Sequence, residues 1–117
     1  MAAPNIINSS AIYGKTAVQA VTTSATAIVT NSAGSNKVLK INALYVANVD
    51  GTNSADITVD VFRSSVAYRI ASTVSVPADA SMNIITKSVY LEEGDSLRLT
   101  ASANGDLEAV CSYEEIS

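Results

Sequence analysis

At 117 residues the chain has the length of one domain and is long enough to enclose a core. Its composition, 48% hydrophobic and 15% charged, excludes a disordered chain. Seven basic residues, scattered along the sequence, face eleven acidic ones for a net charge of -4, which excludes a phosphate-binding face for nucleic acid.

The opening MAAPNIINSS has neither a charged n-region nor an apolar h-region, so no secretory signal is expected there. No run of about eighteen apolar residues offers a membrane span. Residues 1–36 carry a single charge, Lys15, and are rich in Ala, Ser, Thr and Asn. Two readings fit this segment. In one, edge strands lie near Thr16 to Thr23 and Thr26 to Asn31, followed by the loop Ser32-Ala33-Gly34-Ser35-Asn36, with register weakly specified. In the other, Ala2 to Ile12 is an extended arm ordered by a neighbouring subunit, because a terminus stays loose unless something ties it down. The expected organisation is an arm over 1–14 and a β domain over 15–117. The arm's contact residues are expected to be Pro4, Asn5, Ile6, Ile7, Ile12 and Tyr13.

From Lys37 the pattern is firm. KVLKINALYVANV predicts a central strand with Leu39, Ile41, Ala43, Tyr45 and Ala47 on one face, and Leu44 and Val46 beneath a second cover. The loop DGTNSAD follows, and DITVDVFR then places Ile57, Val59 and Val61 inward and Thr58, Asp60 and Phe62 outward. AYRIASTVSV predicts Tyr68, Ile70, Val74 and Val76 inward, ending at Pro77, which lacks the amide donor a sheet needs. In MNIITKSVYL the apolar positions change parity between Ile84, Ile85 and Val89, the mark of a bulge or a change of sheet.

Leu97, Leu99, Ala101 and Ala103 alternate with Arg98, Thr100 and Ser102. After Asn104-Gly105, a pair suited to positive φ, Leu107, Ala109, Cys111 and Tyr113 alternate with Glu108, Ser112 and Glu114. A hairpin of two half-buried strands is the expected result. No segment has a sustained helical stripe, and turn signals recur about every ten residues. The fold class is therefore all-β: a single antiparallel β-sandwich, jelly-roll-like, of about eight strands, since a one-faced sheet needs a second layer.

Candidate chemistry is sparse. The acidic groups crowd around glycines at Glu92-Glu93-Gly94-Asp95 and Asn104-Gly105-Asp106, where turn hydrogen bonding explains them. In Asp50-Gly51-Thr52-Asn53-Ser54-Ala55-Asp56 the glycine is second rather than sixth, and no Glu stands twelfth, so the loop does not match an EF-hand. Glu92, Glu93, Asp95, Glu108, Glu114 and Glu115 form no facing pair for glycoside hydrolysis. With no Trp and one Phe, a sugar platform would fall to Tyr13, Tyr45, Tyr68, Tyr90 and Tyr113, four of which lie in strands where packing is expected. Cys111 sits in an inward-facing series and has neither a second Cys nor any His to partner it. No phosphate loop, CxxC pair or nucleophile elbow occurs. No catalytic residue, cofactor or metal is expected. Outward faces rich in Ser and Thr with few charges are cheap to desolvate, which favours assembly over catalysis.

Across KVLKINALYVANVDGTNSADITVDVFR and SVPADASMNIITKSVYLEEGDSLRLTASANGDLEAVCSYEEI the chain resembles the small virion structural proteins of tailed bacteriophages, particularly of marine myoviruses that infect cyanobacteria. The shared features are a strand ending in Ala47-Asn48, an Asp/Asn/Ser-rich loop, a strand ending in Arg63, the Val76-Pro77-Ala78 turn, and Leu91-Glu92-Glu93-Gly94-Asp95-Ser96-Leu97 leading into the last hairpin. The resemblance implies a non-enzymatic particle component made in the host bacterial cytoplasm and located in the virion. Its partners would be other virion proteins and further copies of itself, with no nucleic acid or membrane. The implied role is capsid decoration or cement, with a neck or tail component, or a glycan- or receptor-binding module of a tail fibre, as alternatives.

Overall fold

The computed structural model describes residues 5–117. It contains a short 3-10 turn, Ile6–Asn8, and nine strands: β1 Ile12–Ala20, β2 Thr26–Thr30, β3 Val38–Asn48, β4 Ala55–Arg63, β5 Val66–Val76, β6 Ser81–Asn83, β7 Val89–Leu91, β8 Ser96–Ala101 and β9 Leu107–Ile116. One sheet runs β1-β9-β3-β6, with β7 also on β3, and the other runs β2-β8-β4-β5. Every pairing is antiparallel. With β6 and β7 taken as one interrupted strand, each sheet has four strands, and every connection except β4–β5 crosses between the sheets. That is the jelly-roll arrangement the sequence predicted.

The core lies between the sheets. Ile41, Leu44, Val46, Ile57, Val59, Leu97, Leu99, Leu107 and Cys111 are all essentially inaccessible. Each large aliphatic side chain placed there contributes about 1.5–3 kcal/mol of transfer free energy. The predicted inward series holds for Leu97, Leu99 and Ala101 of β8 and for Leu107, Ala109 and Cys111 of β9, whereas Ala103 lies past the end of β8 and the hairpin does not form. β8 pairs with β2 and β4 while β9 pairs with β1 and β3, so the Asn104-Gly105 corner carries the chain from one sheet to the other. Gly105 does adopt φ +83°, and Asn104 Oδ1 accepts from the Thr23 amide, so the turn chemistry serves a crossover.

β3 is central, as expected, but its faces differ from the prediction. A bulge between Ile41 and Ala43 switches the parity, so Leu39 and Ile41 are followed inward by Leu44, Val46 and Asn48, and Tyr45 points to solvent. On β4, Thr58 and Asp60 do face outward yet are buried. Thr73 donates its amide to Thr58 Oγ1, and Arg98 lies over the Phe62 ring at 3.9 Å with its Nε 2.9 Å from Asp60 Oδ1. On β5, the predicted inward Tyr68 and Ile70 are exposed. Ile70 is the extra residue of a register shift, and Tyr68, opposite Val61, lies at the margin of the sandwich. The parity change between Ile84, Ile85 and Val89 is not a change of sheet, because β6 and β7 both pair with β3, and residues 84–88 there stand against residues 42–44 of β3 as an interruption with extra residues.

The β4–β5 connection is a two-residue turn in which Ser64 (φ 51°) and Ser65 (φ 63°) are both left-handed, as a type I′ hairpin requires, without Gly or Asn. Two buried asparagines tie other loops down. Asn31 donates to Lys37 O and Leu91 O, and Asn48 donates to Asn53 O and Val76 O while accepting from the Asp50 amide.

Candidate assembly surfaces

β1 and β2 are edge strands, as expected, though of different sheets. β1 begins at Ile12, so residues 12–14 of the segment assigned to the arm belong to the ladder with β9. Of the expected contact residues, Pro4 lies outside the described residues. Asn5 caps the 3-10 turn by accepting the Ile7 amide on its Oδ1. Ile6 and Ile7 are presented on that turn, and Ile7 is 91% exposed. Ile12 and Tyr13 are exposed on β1. Ser10 and Ala11 donate their amides to Ser117 O, and Ser117 donates back to Ala11 O, which continues the β1–β9 ladder past Ile12. The segment before Ser10 therefore leaves along the strand direction.

The sheet edges differ in how they are guarded. β2 is five residues long with a register shift, β5 has two register shifts and a left-handed Thr73, and β6 and β7 are three residues each. These are the devices that blunt an edge against further strand pairing. β1 has none of them. It is nine residues long in unbroken register with β9, contains no proline, and bears one charge, Lys15, whose Nζ is held 3.1 Å from Glu115 Oε2. Lys37 binds the other oxygen of Glu115 at 3.0 Å, and these two bonds hold the Glu115 carboxyl below its ordinary range. Among the described residues, the outer amides and carbonyls of β1 have no strand partner.

An apolar row runs inward from this edge across the outer face of the sheet. Val18 stands opposite Val110, Val110 opposite Tyr45, and Tyr45 opposite Asn83, and residues opposite one another share a face. Val18 is 74% exposed and Tyr45 49%. The neighbouring rows are Thr16, Ser112 and Ala43 on one side and Ala20, Glu108 and Ala47 on the other. One carboxylate is the only charge in these three rows. Sequence reasoning missed Val18 and Val110 and set Tyr45 on the same face as Leu39 and Ile41, although the scarcity of charge before Lys37 was a signal for the first.

No protein-family model and no curated protein matches the chain. A solved structure does: a chain of the assembly described as "Bacillus endospore appendages form a novel family of disulfide-linked pili" matches with a TM-score of 0.54. The match spans 92% of this chain and 87% of that one at 13% sequence identity. The likeness is one of fold.

On the opposite side of the sandwich, where β5 and β7 are the margins, lies a cleft of about 380 Å³ lined by Val61, Arg63, Tyr68, Val89 and Tyr90. Sequence reasoning placed both tyrosines in packing roles, and the structure brings them together at an open groove. Beside it, Arg63 reaches Asp95 Oδ1 through Nε at 2.7 Å and Glu92 Oε2 through Nη2 at 2.9 Å. Asp95, nearly inaccessible, also accepts the Glu92 amide, and Gly94 turns the corner at φ +90°. The Glu92–Asp95 cluster is a latched corner. At the other acidic loop, Asp50 accepts the Thr52 and Asn53 amides, and the first of these bonds chiefly lowers its carboxyl below the usual range. Among the described residues, no three His, Cys, Asp or Glu side chains converge on one point.

Cys111 is fully enclosed, and burial pushes its thiol up to about 11, the reverse of a reactive thiolate.

Proposed function

We propose that the protein is a non-enzymatic virion structural subunit that assembles through protein–protein contacts, as a capsid decoration or cement protein. The observation that carries this reading is the unguarded β1 edge beside the Val18–Val110–Tyr45 row. An edge of nine regular residues invites addition of a further strand, and the apolar row gives the added chain a surface to pack on. The virion setting rests on the sequence resemblance. The pili of the structural neighbour are disulfide-linked by their description, whereas the single cysteine of this chain is enclosed in the core, so assembly here is non-covalent.

The test is quantitative mass spectrometry of purified phage particles, with this chain's peptides scaled to the major capsid protein. Abundance close to that of the capsid protein is the expected result. A small fixed fraction would move the protein to the neck or tail, and absence from clean particles would overturn the reading.

A further inference from the structure

We infer that β1 pairs with β1 of a second copy of this chain, antiparallel and about a twofold axis at Thr16, so that the two β1-β9-β3 sheets run on as one. The inference rests on the assembly reading above and names its partner.

The backbone fixes which groups face outward. Ala11 and Ser117 exchange both of their hydrogen bonds, and Val21 donates to Leu107 O. Bonded and unbonded positions alternate along an antiparallel ladder, so in the register between these ends Tyr13, Lys15, Ala17 and Gln19 bond to β9. Ile12, Gly14, Thr16, Val18 and Ala20 turn their amides and carbonyls away from the sheet. Such a row is satisfied best by a strand of equal length and regularity. The sheet margins of a second copy are β1, β2, β5 and the β6–β7 pair. β2 is short and shifted, β5 is shifted twice, and β6 and β7 are three residues each. Among the described residues, only β1 matches β1.

Side chains select the register. Centring on Thr16 pairs all nine residues of each strand and sets outward residues against outward residues, and moving the centre either way shortens the ladder. Centring on Lys15 would also set two ammonium groups directly opposite, which is unfavourable. With Thr16 at the axis, Lys15 meets Ala17 and Val18 meets Gly14 of the second copy. No described atom lies within 4 Å of the point where a Cβ on Gly14 would stand, so the valine has room. On the outer face the row Ala43, Ser112 and Thr16 continues into Thr16, Ser112 and Ala43 of the second copy, which leaves that face uncharged at the axis. The contact is isologous, so it closes as a dimer and consumes both open edges.

The test introduces single cysteines on β1 and oxidises the chains mildly, with sedimentation velocity to record association and the parent, whose Cys111 is enclosed, as the blank. Across the axis the two Thr16 Cα atoms would lie about 5.5 Å apart, inside the disulfide range of about 4.4–6.8 Å, whereas the two Gly14 positions would lie about 14 Å apart along the strand. Thr16→Cys should therefore form covalent dimers about tenfold faster than Gly14→Cys or Val18→Cys alone, and an equal mixture of the last two should give the mixed dimer. Thermal melting of each variant guards against misfolding. Association without the Thr16 link, or with links that ignore the Gly14–Val18 pairing, overturns the pairing of β1 with itself and leaves the assembly reading standing. A chain that stays monomeric at every concentration overturns the pairing, and the particle abundance described above then decides the assembly reading separately.

Discussion

Arg63, the last residue of β4, holds Asp95, the residue before β8, through two parallel bonds: Nε to Oδ1 at 2.7 Å and Nη2 to Oδ2 at 2.5 Å. This fork is the strongest geometry available to the pair, and it locks the corner that feeds β8 into its sheet.

The hydrogen bond from Arg63 holds the Asp95 carboxyl below its ordinary range. In the unfolded chain the group titrates near 3.9, so its contribution is complete above about pH 5 and is lost as pH falls through the lower folded value. Asp95→Asn should cost about 1–3 kcal/mol at pH 7, and the gap from the parent should shrink below about pH 4. Urea unfolding from pH 7 to pH 2.5 checks this, and a gap that widens on acidification contradicts it.

Lysines on the β1 edge are the direct probe of assembly. Thr16→Lys with Val18→Lys should abolish association in sedimentation velocity, because a desolvated ammonium opposes strand addition. Both side chains are exposed, so the monomer's stability should shift by no more than about 0.5 kcal/mol per site.

The bulge on β3 predicts opposite fates for two neighbours. Leu44→Ala empties a fully buried site and should cost about 2–5 kcal/mol. Tyr45→Ala removes a solvent-facing ring and should cost well under half as much in denaturant titration. Equal losses would restore the unbulged strand.

The Ser64-Ser65 turn holds two β-carbons in left-handed backbone. Replacing the pair by Asn-Gly should raise stability by about 1–2 kcal/mol, read as a higher midpoint of urea unfolding with an unchanged slope.

The Cys111 thiol should react with an aromatic disulfide reagent only as fast as the chain unfolds. Assemblies should survive reductant. Rapid labelling of the native protein would place the thiol outside the core.

How much of this was legible in the sequence depended on range. The period of two in Leu97-Leu99-Ala101 and in Leu107-Ala109-Cys111 gave both strands and their inner faces, because alternation is a local property. Which strands they pair with was not local. The same alternation serves a hairpin or a crossover, and Asn104-Gly105 turns either one. The bulge at Asn42 rests on one inserted residue in a run where Ala43, Leu44, Tyr45 and Val46 all read as apolar. The exposure of Tyr68 depends on where the opposing sheet ends, and its approach to Tyr90 joins residues far apart in the chain, so no spacing signalled the cleft. The absence of charge before Lys37, apart from Lys15, did point to the side that carries the open edge.

β8 and β9, both delivered by residues 96–116, occupy inner positions in the two sheets, and β1 and β2 pair with nothing else. While the ribosome is still translating the middle of the chain, the two earliest strands have no partner, and neither sheet can close. The β1 edge exists as an edge only once β9 has been made. On the assembly reading proposed above, a prematurely terminated chain presents no docking strand, so incomplete copies are left out as a by-product of the order of synthesis.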